Sequence, residues 1–357
     1  MLKVLQVTKQ FEHKIYGGVE YLVDGLCKNL KKYSIKSDVY TLKKTKTKKR
    51  KFGIFSNKEN FNISSCPISL RSLFDFYKIS KKYDLINFHF PWPWMDLFSI
   101  FVPKKKIIVT YHADITKKNL LYYIYYPLMI QFLKKSTKII CTSNKYLNSS
   151  NILKKFKQKV EVIPVGIEHK KVKRNNKKKV DKEYFIFVGN FRSYKGIEFL
   201  IKVFIKNKIN LKIISSEKIS ENSKLIFNNY RNIKLYEKIN EREKTKLIKE
   251  SIGLILPSID RREAYGLVLL EAASQKIPLI STEINTGSSF ININKKTGLT
   301  FKPGNVRQLN NCIMTIKNNK KIRRYFGLNA YARYKKVFTL EKMIKKYVNF
   351  YNYKVNN

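Results

Sequence analysis

Residues 184–204, YFIFVGNFRSYKGIEFLIKVF, indicate the fold class most directly. The stretch opens with a run of aromatic and β-branched residues, which is typical of a buried strand. Gly189 and Gly196 bracket a short polar turn, and apolar residues then recur at helical spacing up to Phe204. A buried strand, a turn and a helix in succession form the repeating unit of α/β proteins with parallel sheets. The stretch therefore predicts an α/β fold.

The same alternation continues on both sides of this stretch. Residues 18–33, for example, have the apolar spacing of a helix. The two series of short apolar runs each resemble a doubly wound, Rossmann-like unit. The predicted strands of the first series are 3–8, 37–42, 84–90, 106–112, 138–143 and 160–166, and those of the second are 184–190, 211–215, 232–237, 253–258, 278–282 and 298–304.

The chain has 357 residues, which is too long for one ordinary core and fits two domains. A polar, highly basic stretch, HKKVKRNNKKKVDKE at 169–183, separates the two strand series. We therefore predict a first domain over 1–168, a linker over 169–183 and a second domain over 184–335. Residues 336–357 are predicted to form a basic, aromatic helix, for which packing back onto the first domain is one option.

The charge balance is strongly basic, with 74 Lys and Arg against 25 Asp and Glu and a formal net charge of +49. Such an excess attracts an anionic membrane surface, a phosphate-rich substrate or nucleic acid. Bias in composition is the alternative, because Lys is spread along the whole chain. The sequence has no zinc pattern, aromatic RNA-binding signature or helix-turn-helix cue, so we expect no nucleic-acid partner.

The four cysteines are scattered without metal-binding or redox-pair spacing, which predicts free thiols in a reducing compartment. The first residues, MLKVLQVTKQF, alternate like a buried strand, so we expect no secretory signal peptide. The most apolar stretch, NLLYYIYYPLMIQFL at 119–133, is shorter than the roughly 18 residues of a spanning helix. It is predicted to be either a core helix or an interfacial one.

Two turns between a strand and a helix suit an anion. Free backbone N–H groups and the helix dipole point to such a turn. At the turn after the strand ending near Gly189, Arg192 and Lys195 add two positive charges, whose natural partner is a diphosphate. Gly17 and Gly18 follow the first predicted strand and allow close approach of a phosphate or sugar. Neither turn has the spacing of a P-loop or of a dinucleotide fingerprint.

The segment RREAYGLVLLEAASQKIPLI, residues 261–280, holds two acids, Glu263 and Glu271. A continuous helix would place them about 12 Å apart, beyond the roughly 5 to 9 Å of a catalytic carboxylate pair. Gly266 instead predicts a helix that starts near Leu267, with Glu263 in the preceding loop and Glu271 in the first turns. Two carboxylates flanking a helix N-terminus suit a ligand with hydroxyls at both ends and negative charge in the middle.

Two further groups of residues are candidates for ligand binding. Gly287, in the loop after the strand at 278–282, is positioned to offer backbone N–H groups to phosphates. His89 and His112 are predicted at the ends of adjacent strands, with Asp114 close to one of them. Histidine titrates near neutral pH, and a neighbouring carboxylate can orient it, so the pair is a candidate for substrate contact.

Taken together, these segments resemble the retaining glycosyltransferases of family 4, which have the GT-B fold of two Rossmann-like domains facing a cleft. The resemblance covers nearly the whole chain. It rests on the glycine turn at 17–18, VTYHADI, VIPVGIE, FVGNFRSYKG, LPSIDRREAYGLVLLEAASQKIPLIST and TGLTFKPGN. The spacing of Glu263 and Glu271 matches the family's Glu-x7-Glu motif. Asn190 departs from the pattern, since many members have Arg directly after the glycine that matches Gly189.

The resemblance implies a role for each matching residue. Glu263 would bind hydroxyls of the transferred sugar, Glu271 those of the ribose, and Lys195 with Arg192 the diphosphate, while His112 would lie near the transferred sugar. The glycines and Leu267 would line the donor site, and the first domain, with His89 and Asp114, would take the acceptor. No metal or other cofactor is implied, because Lys and Arg do the work of a cation.

YHADI and STEINTGSSF resemble members that build bacterial surface polysaccharides, including mannosyltransferases. This favours a GDP-linked, mannose-type donor and leaves UDP-linked sugars open. The expected acceptor is a saccharide or a polyprenyl-linked sugar, with the enzyme in the cytoplasm or peripherally on the inner face of the plasma membrane. The alternatives are a GT-B enzyme of other chemistry, such as an epimerase or phosphorylase, and a nucleic-acid-binding protein.

Overall fold

The computed structural model describes residues 1–11, 17–42, 51–64, 66–116, 118–171, 183–219 and 229–356. Most of the predicted linker, residues 172–182, lies outside these ranges. The chain forms two compact units, one of Met1–Val165 together with Leu340–Asn357, and one of Gly166–Thr339. Each unit is built around its own parallel sheet, as the two strand series predict.

The sheet of the first unit has seven parallel strands in the order β3-β2-β1-β6-β7-β8-β9. The order reverses between β1 and β6, and ligands of such sheets bind beyond the carboxyl ends of the strands at this reversal. A separate antiparallel hairpin, β4-β5, lies outside the sheet. The strands are β1 (Leu2–Val7), β2 (Ile35–Thr41), β3 (Ile54–Ser56), β4 (Phe61–Ile63), β5 (Cys66–Ile68), β6 (Leu85–Phe90), β7 (Ile107–Tyr111), β8 (Lys138–Cys141) and β9 (Val160–Val162).

The C-terminal helix, Leu340–Asn356, packs within the first unit. It buries Met343, Ile344, Tyr347 and Tyr351 almost completely. The last helix therefore packs back onto the first domain, which is one of the options that the sequence leaves open. The other helices of the unit are α1 (Gly18–Asn29), α2 (Leu70–Ser80), α3 (Pro93–Phe98), α4 (Leu120–Lys135), α5 (Asn144–Ser149) and α6 (Asn151–Lys154).

The sheet of the second unit has six parallel strands in the order β12-β11-β10-β13-β14-β15. This is the doubly wound order, which reverses between β10 and β13. The strands are β10 (Tyr184–Val188), β11 (Asn210–Ser215), β12 (Ile233–Glu237), β13 (Gly253–Leu256), β14 (Leu279–Thr282) and β15 (Gly298–Phe301). The helices are α7 (Ile197–Asn207), α8 (Glu241–Glu250), α9 (Leu267–Ser274), α10 (Gly287–Ile291), α11 (Val306–Asn318) and α12 (Lys320–Val337).

Residues 184–204 form β10, a turn and most of α7. Phe185 and Phe187 point into the core and are fully buried. The turn ends at Gly196, which has a φ of 66°. A Cβ atom added at this position would lie 2.2 Å from the carbonyl oxygen of Pro257. Only glycine fits there, because the left-handed backbone and the close approach both exclude a side chain. The turn therefore sits directly against the loop that follows β13.

The α/β fold class with two Rossmann-like halves is confirmed, and the differences are local. The first predicted helix ends at Asn29 and continues as a single 3-10 turn, Leu30–Tyr33. The short strands β3, β4 and β5 were not predicted, because three residues are too few to show a period of two. The four cysteines, which all lie in the described ranges, form no disulfide bond there. In the described part of the chain, no helix is long and apolar enough to cross a membrane.

Candidate donor and acceptor sites

The central feature of the second unit is an ion pair between Lys195 and Glu263. Lys195 comes from the turn after β10 and Glu263 from the loop after β13, the two strands at which the sheet order reverses. The two side chains are only 14% and 10% exposed. The hydroxyl of Ser258 donates to the same Glu263 oxygen at 3.0 Å. Since loops at such a reversal meet in space, the sequence motifs converge where parallel sheets bind ligands.

Lys195 keeps its charge in this buried position. Burial by itself lowers the pKa of its ammonium group, but the neighbouring Glu263 carboxylate and Tyr194 together outweigh burial and leave the pKa above its ordinary value. The turn is held by the Ile259 amide, which donates to the Tyr194 carbonyl at 2.8 Å. A fixed, fully ionised lysine thus stands beside a buried carboxylate at the mouth of the sheet.

The two acids of the Glu-x7-Glu motif lie on either side of a helix start, as predicted from the sequence. Helix α9 begins at Leu267, after Gly266 with a φ of 82°, so Glu263 belongs to the loop and Glu271 to the helix. The first amides of a helix have no acceptor within it. Leu267 and Val268 supply such amides between the two carboxylates, which is the place predicted for negative charge.

Glu271 is held by a lysine that sequence reasoning missed. Its Oε1 accepts from Lys244 Nζ at 3.0 Å, and Lys244 also pairs with Glu241. Burial lowers the pKa of Lys244, but these two carboxylates raise it above its ordinary value. The other oxygen, Glu271 Oε2, is buried and has no hydrogen-bond partner among the described residues. A buried acceptor without a partner is costly, so it is a natural place for a ligand hydroxyl.

Gly287 differs from its expected role. Its N–H donates to the Ala264 carbonyl at 2.9 Å and so does not face a phosphate in this structure. A Cβ on Gly287 would lie 2.4 Å from the Tyr265 ring, which shows that glycine is needed for close packing of two loops. Thr286 strengthens the same contact, because its hydroxyl donates to the Glu263 carbonyl at 2.8 Å. The segment therefore holds the Glu263 loop in place.

Arg192 pairs with a different acid from Lys195, and its predicted role at a diphosphate stays a prediction. Its guanidinium donates to Glu217 at 2.7 Å, and its side chain is about half exposed. Asn190, at the position where many members have Arg, also donates to Glu217, at 2.9 Å. The Gly189 amide donates to the Ile214 carbonyl within the sheet. Arg192 and Asn190 thus share Glu217 as their acceptor.

In the first unit, His89 and His112 meet as the sequence predicts. His89 lies in β6 and His112 directly after β7, and His89 Nδ1 is 2.9 Å from His112 Nε2. Burial lowers the pKa of His89 well below its ordinary value and that of His112 to about 4. Both rings are therefore neutral at neutral pH. His89 Nε2 lies 2.9 Å from the side-chain oxygen of Gln6 on β1.

The remaining candidates of the first unit have structural partners. The Gly17 N–H donates to the Glu20 carboxylate at 2.9 Å, so it caps helix α1 and is not offered to a phosphate. Gly18 is the first residue of that helix. The Asp114 carboxylate accepts from Tyr111 and Ser150 at 2.8 and 2.6 Å, which ties the loop after β7 to the start of α6.

Two family descriptions match the chain, one in each half. Glycosyltransferase Family 4 matches residues 16–171, and Glycosyl transferases group 1 matches residues 168–333. The chain is also 33% identical to O-antigen chain mannosyltransferase C of Escherichia coli, over 98% of each sequence. The chain belongs to glycosyltransferase family 4. It is therefore a glycosyltransferase, an enzyme that transfers sugars.

Other comparisons agree with this family 4 assignment. D-rhamnosyltransferase WbpZ of Pseudomonas aeruginosa is 28% identical, over 95% of this chain and 92% of the relative. The structure of Anabaena Alr3699/HepE in complex with UDP and glucose matches with a TM-score of 0.78, covering 98% of this chain and 99% of that one, at 14% identity. At that identity the likeness shows the fold alone, which is GT-B.

Two residues of the site, Ser258 and Lys244, were not among the predicted site residues. Ser258 ends a predicted strand next to the reversal, so the topology rule places it near Glu263. Lys244 lies in a basic helix among many other lysines, and no pattern separates it from them. In the described parts of the chain, no group of three or more His, Cys, Asp or Glu side chains is arranged to hold a metal ion.

Proposed function

We propose that this family 4 enzyme is a retaining glycosyltransferase that takes its sugar from a nucleotide diphosphate donor bound by the second unit. The observation that carries the proposal is the pairing of Lys195 with Glu263 beside the start of helix α9. A cation, free helix amides and two carboxylates along one edge match the diphosphate and the two hydroxyl-bearing ends of such a donor. The reaction needs no metal in this proposal.

In the proposed reaction the bond between the anomeric carbon and the diphosphate oxygen breaks, and negative charge accumulates on the departing diphosphate. Lys195 and the amides of Leu267 and Val268 stabilise that charge, which fixed donors in a site can do by several kcal/mol. Glu263 binds Lys195 and Ser258 through one oxygen, which suits a role in orienting sugar hydroxyls rather than in nucleophilic attack. The acceptor oxygen attacks from the leaving-group face and passes its proton to the departing phosphate.

The donor we favour is GDP-mannose, with UDP-linked sugars as the alternative. The support is the likeness to an O-antigen mannosyltransferase over the full chain and the likeness to a D-rhamnosyltransferase. The same relatives favour a saccharide or polyprenyl-linked acceptor in surface polysaccharide synthesis. Because a solved structure of the same fold contains UDP and glucose, the test also includes UDP-linked ligands.

Ligand-induced stabilisation tests the donor. The full chain is heated with GDP-mannose, GDP, UDP-glucose, UDP or AMP, each over a range of concentrations. A ligand at 100 times its dissociation constant adds about 2.7 kcal/mol of stability. We expect GDP-mannose and GDP to stabilise wild type, and Lys195→Ala to lose that response. Stabilisation by UDP-glucose instead would assign the other donor class, and no response to any of the five would contradict the proposal.

We also propose that the first unit rests on an anionic membrane surface through helix α4. The second half of α4 buries Met129, Phe132 and Leu133, so the helix belongs to the core there. Its first half leaves Leu120, Leu121, Tyr123 and Ile124 between 51% and 75% exposed. An apolar helical face in a chain of net charge +49 matches the interface of an anionic bilayer.

Co-sedimentation with vesicles tests the membrane contact. We expect wild type to bind vesicles that contain phosphatidylglycerol and not those of phosphatidylcholine alone. Ile124→Glu should weaken binding by at least about fivefold, since it places a charge on the inserted face. Leu328→Glu is the matched control, because Leu328 is also an exposed apolar residue on a helix. Equal binding of both variants would refute the role of α4.

A further inference from the structure

A line of buried hydrogen bonds runs across three strands of the first unit and ends at His112. Gln6 lies on β1, His89 on β6 and His112 directly after β7. The side-chain oxygen of Gln6 is 2.9 Å from His89 Nε2, and His89 Nδ1 is 2.9 Å from His112 Nε2. Which atom donates in each contact decides what His112 can offer to a ligand.

The direction of the line is set by the amides at its far end. Asn87 accepts the Thr110 hydroxyl through its oxygen at 2.8 Å and donates its nitrogen to the Gln6 oxygen at 2.9 Å. The Gln6 nitrogen donates to the Ser37 hydroxyl at 3.1 Å. Each hydroxyl can donate or accept, so the direction follows from how the structure places the amide atoms: the Gln6 nitrogen faces Ser37, and its oxygen faces Asn87 and His89. The atom of Gln6 that faces His89 is therefore an oxygen, which can only accept.

His89 Nε2 must then carry the proton. A neutral imidazole has one N–H and one lone pair, and burial keeps His89 neutral by lowering its pKa. Its Nδ1 is consequently an acceptor, and the His112 Nε2 that faces it must be the donor. The proton of His112 is thus on Nε2, and its Nδ1 carries a lone pair.

The ring geometry suits such a bond. The planes of His89 and His112 are inclined by only 16°, and their centroids are 5.2 Å apart. That separation equals the distance between the two nitrogens plus about one ring radius at each end, so the rings meet edge to edge. The lone pair of His89 Nδ1 lies in its ring plane and points along this edge.

We propose that His89 is a positioning residue, which holds His112 as the Nε2–H tautomer so that His112 presents Nδ1 as an acceptor for a ligand hydroxyl. The ligand part of this inference rests on the proposed function, in which His112 lies near the transferred sugar. The opposite tautomer would place two lone pairs against each other at 2.9 Å and would give the ligand a donor instead. His89 thereby selects which hydrogen bond a sugar can make at this point.

Long-range proton–nitrogen NMR on the full chain, labelled with nitrogen-15 at histidine, tests the tautomer without any substrate. The chain has four histidines, so the spectrum is simple, and the His112 signals are those that His112→Gln removes. We expect His112 in wild type to favour Nε2–H by at least about ten to one, because the other form lacks the buried bond. The chain unfolded in urea gives the reference ratio.

Two variants separate positioning from packing. His89→Leu removes the acceptor, and the tautomer ratio of His112 should fall severalfold toward the unfolded reference. His89→Asn places an amide oxygen near the position of Nδ1, and the ratio should recover. If His89 only filled space, the tautomer ratio of His112 would not recover in His89→Asn. Thermal unfolding of both variants checks that each is folded.

An Nδ1–H form of His112 in wild type, or a ratio that His89→Leu leaves unchanged in a folded protein, overturns the inference. These readouts do not involve catalysis. A correct tautomer in an enzyme that binds no nucleotide sugar would therefore contradict the proposed function and leave the positioning role standing. An enzyme that binds a nucleotide sugar but has the other tautomer would overturn the positioning role and leave the proposed function standing.

Discussion

Replacing Lys195 by Ala leaves Glu263 as a buried carboxylate without its cation. The two side chains are 14% and 10% exposed, so little solvent can replace the lost charge. Removing one partner of a buried pair costs about 3–5 kcal/mol. Ser258 still donates to Glu263 at 3.0 Å, which favours the lower end, about 3 kcal/mol. For a unit of this size that is a fall in melting temperature of about 6–12 °C.

The double variant Lys195→Met with Glu263→Gln removes both charges together. Replacing a buried pair by uncharged groups of similar volume is often neutral for stability, so most of the loss should return, whereas turnover should stay at least about a hundredfold below wild type. Urea unfolding and sugar transfer are measured on the same samples. Lys246→Ala, which breaks a more exposed pair with Glu250, should cost less than about 0.5 kcal/mol. Full activity in the double variant would refute our assignment of these residues.

Of three other predictions, the first two are measured by urea unfolding and the third by titration calorimetry. The pKa of His112 is about 4 in the folded protein, against an ordinary value of 6.5, so the unfolded chain takes up the proton first as the pH falls. The free energy of unfolding should therefore decrease by about 3 kcal/mol between pH 7 and pH 4 because of this group. The decrease should be smaller in His112→Gln. Gly196→Ala should cost about 3 kcal/mol, because a Cβ meets the Pro257 carbonyl at 2.2 Å and the backbone is left-handed, and unchanged urea unfolding would contradict this. Glu271→Gln should raise the dissociation constant of GDP at least about tenfold, whereas Lys244→Ala should weaken binding less, as titration calorimetry would show.

The sequence predicts most of the second unit because its signals are local. Strand β10, its turn and α7 lie within one stretch, and a glycine marks the start of α9. The topology of the sheet places the carboxyl ends of β10 and β13 next to each other, so the sequence alone predicts that Lys195 and Glu263 lie close together. The same reasoning places His89 beside His112 in the first unit.

What the sequence cannot predict are contacts that depend on side-chain direction. Arg192 and Lys195 are three residues apart in one turn, yet only Lys195 reaches Glu263, because Glu217 holds Arg192. Gly287 looks like a phosphate-binding residue, but its amide is taken by the neighbouring loop. Backbone and surface partners of this kind leave no periodic mark in the sequence.

The two lysine–glutamate pairs are compatible with the proposed binding of hydroxyls and a diphosphate at one site, because neither pair has to break for it. Lys195 and Ser258 both engage Oε2 of Glu263, and Lys244 engages Oε1 of Glu271, while Glu271 Oε2 has no partner in the described part of the chain. A carboxylate held through one oxygen still accepts a ligand hydroxyl through the other, and an ammonium group has three donors, of which its carboxylate needs one. Each lysine therefore orients the acid that it contacts. In the function we propose, the acids of the motif act as acceptors at the two ends of the donor, and Lys195 beside Glu263 supplies the positive charge between them.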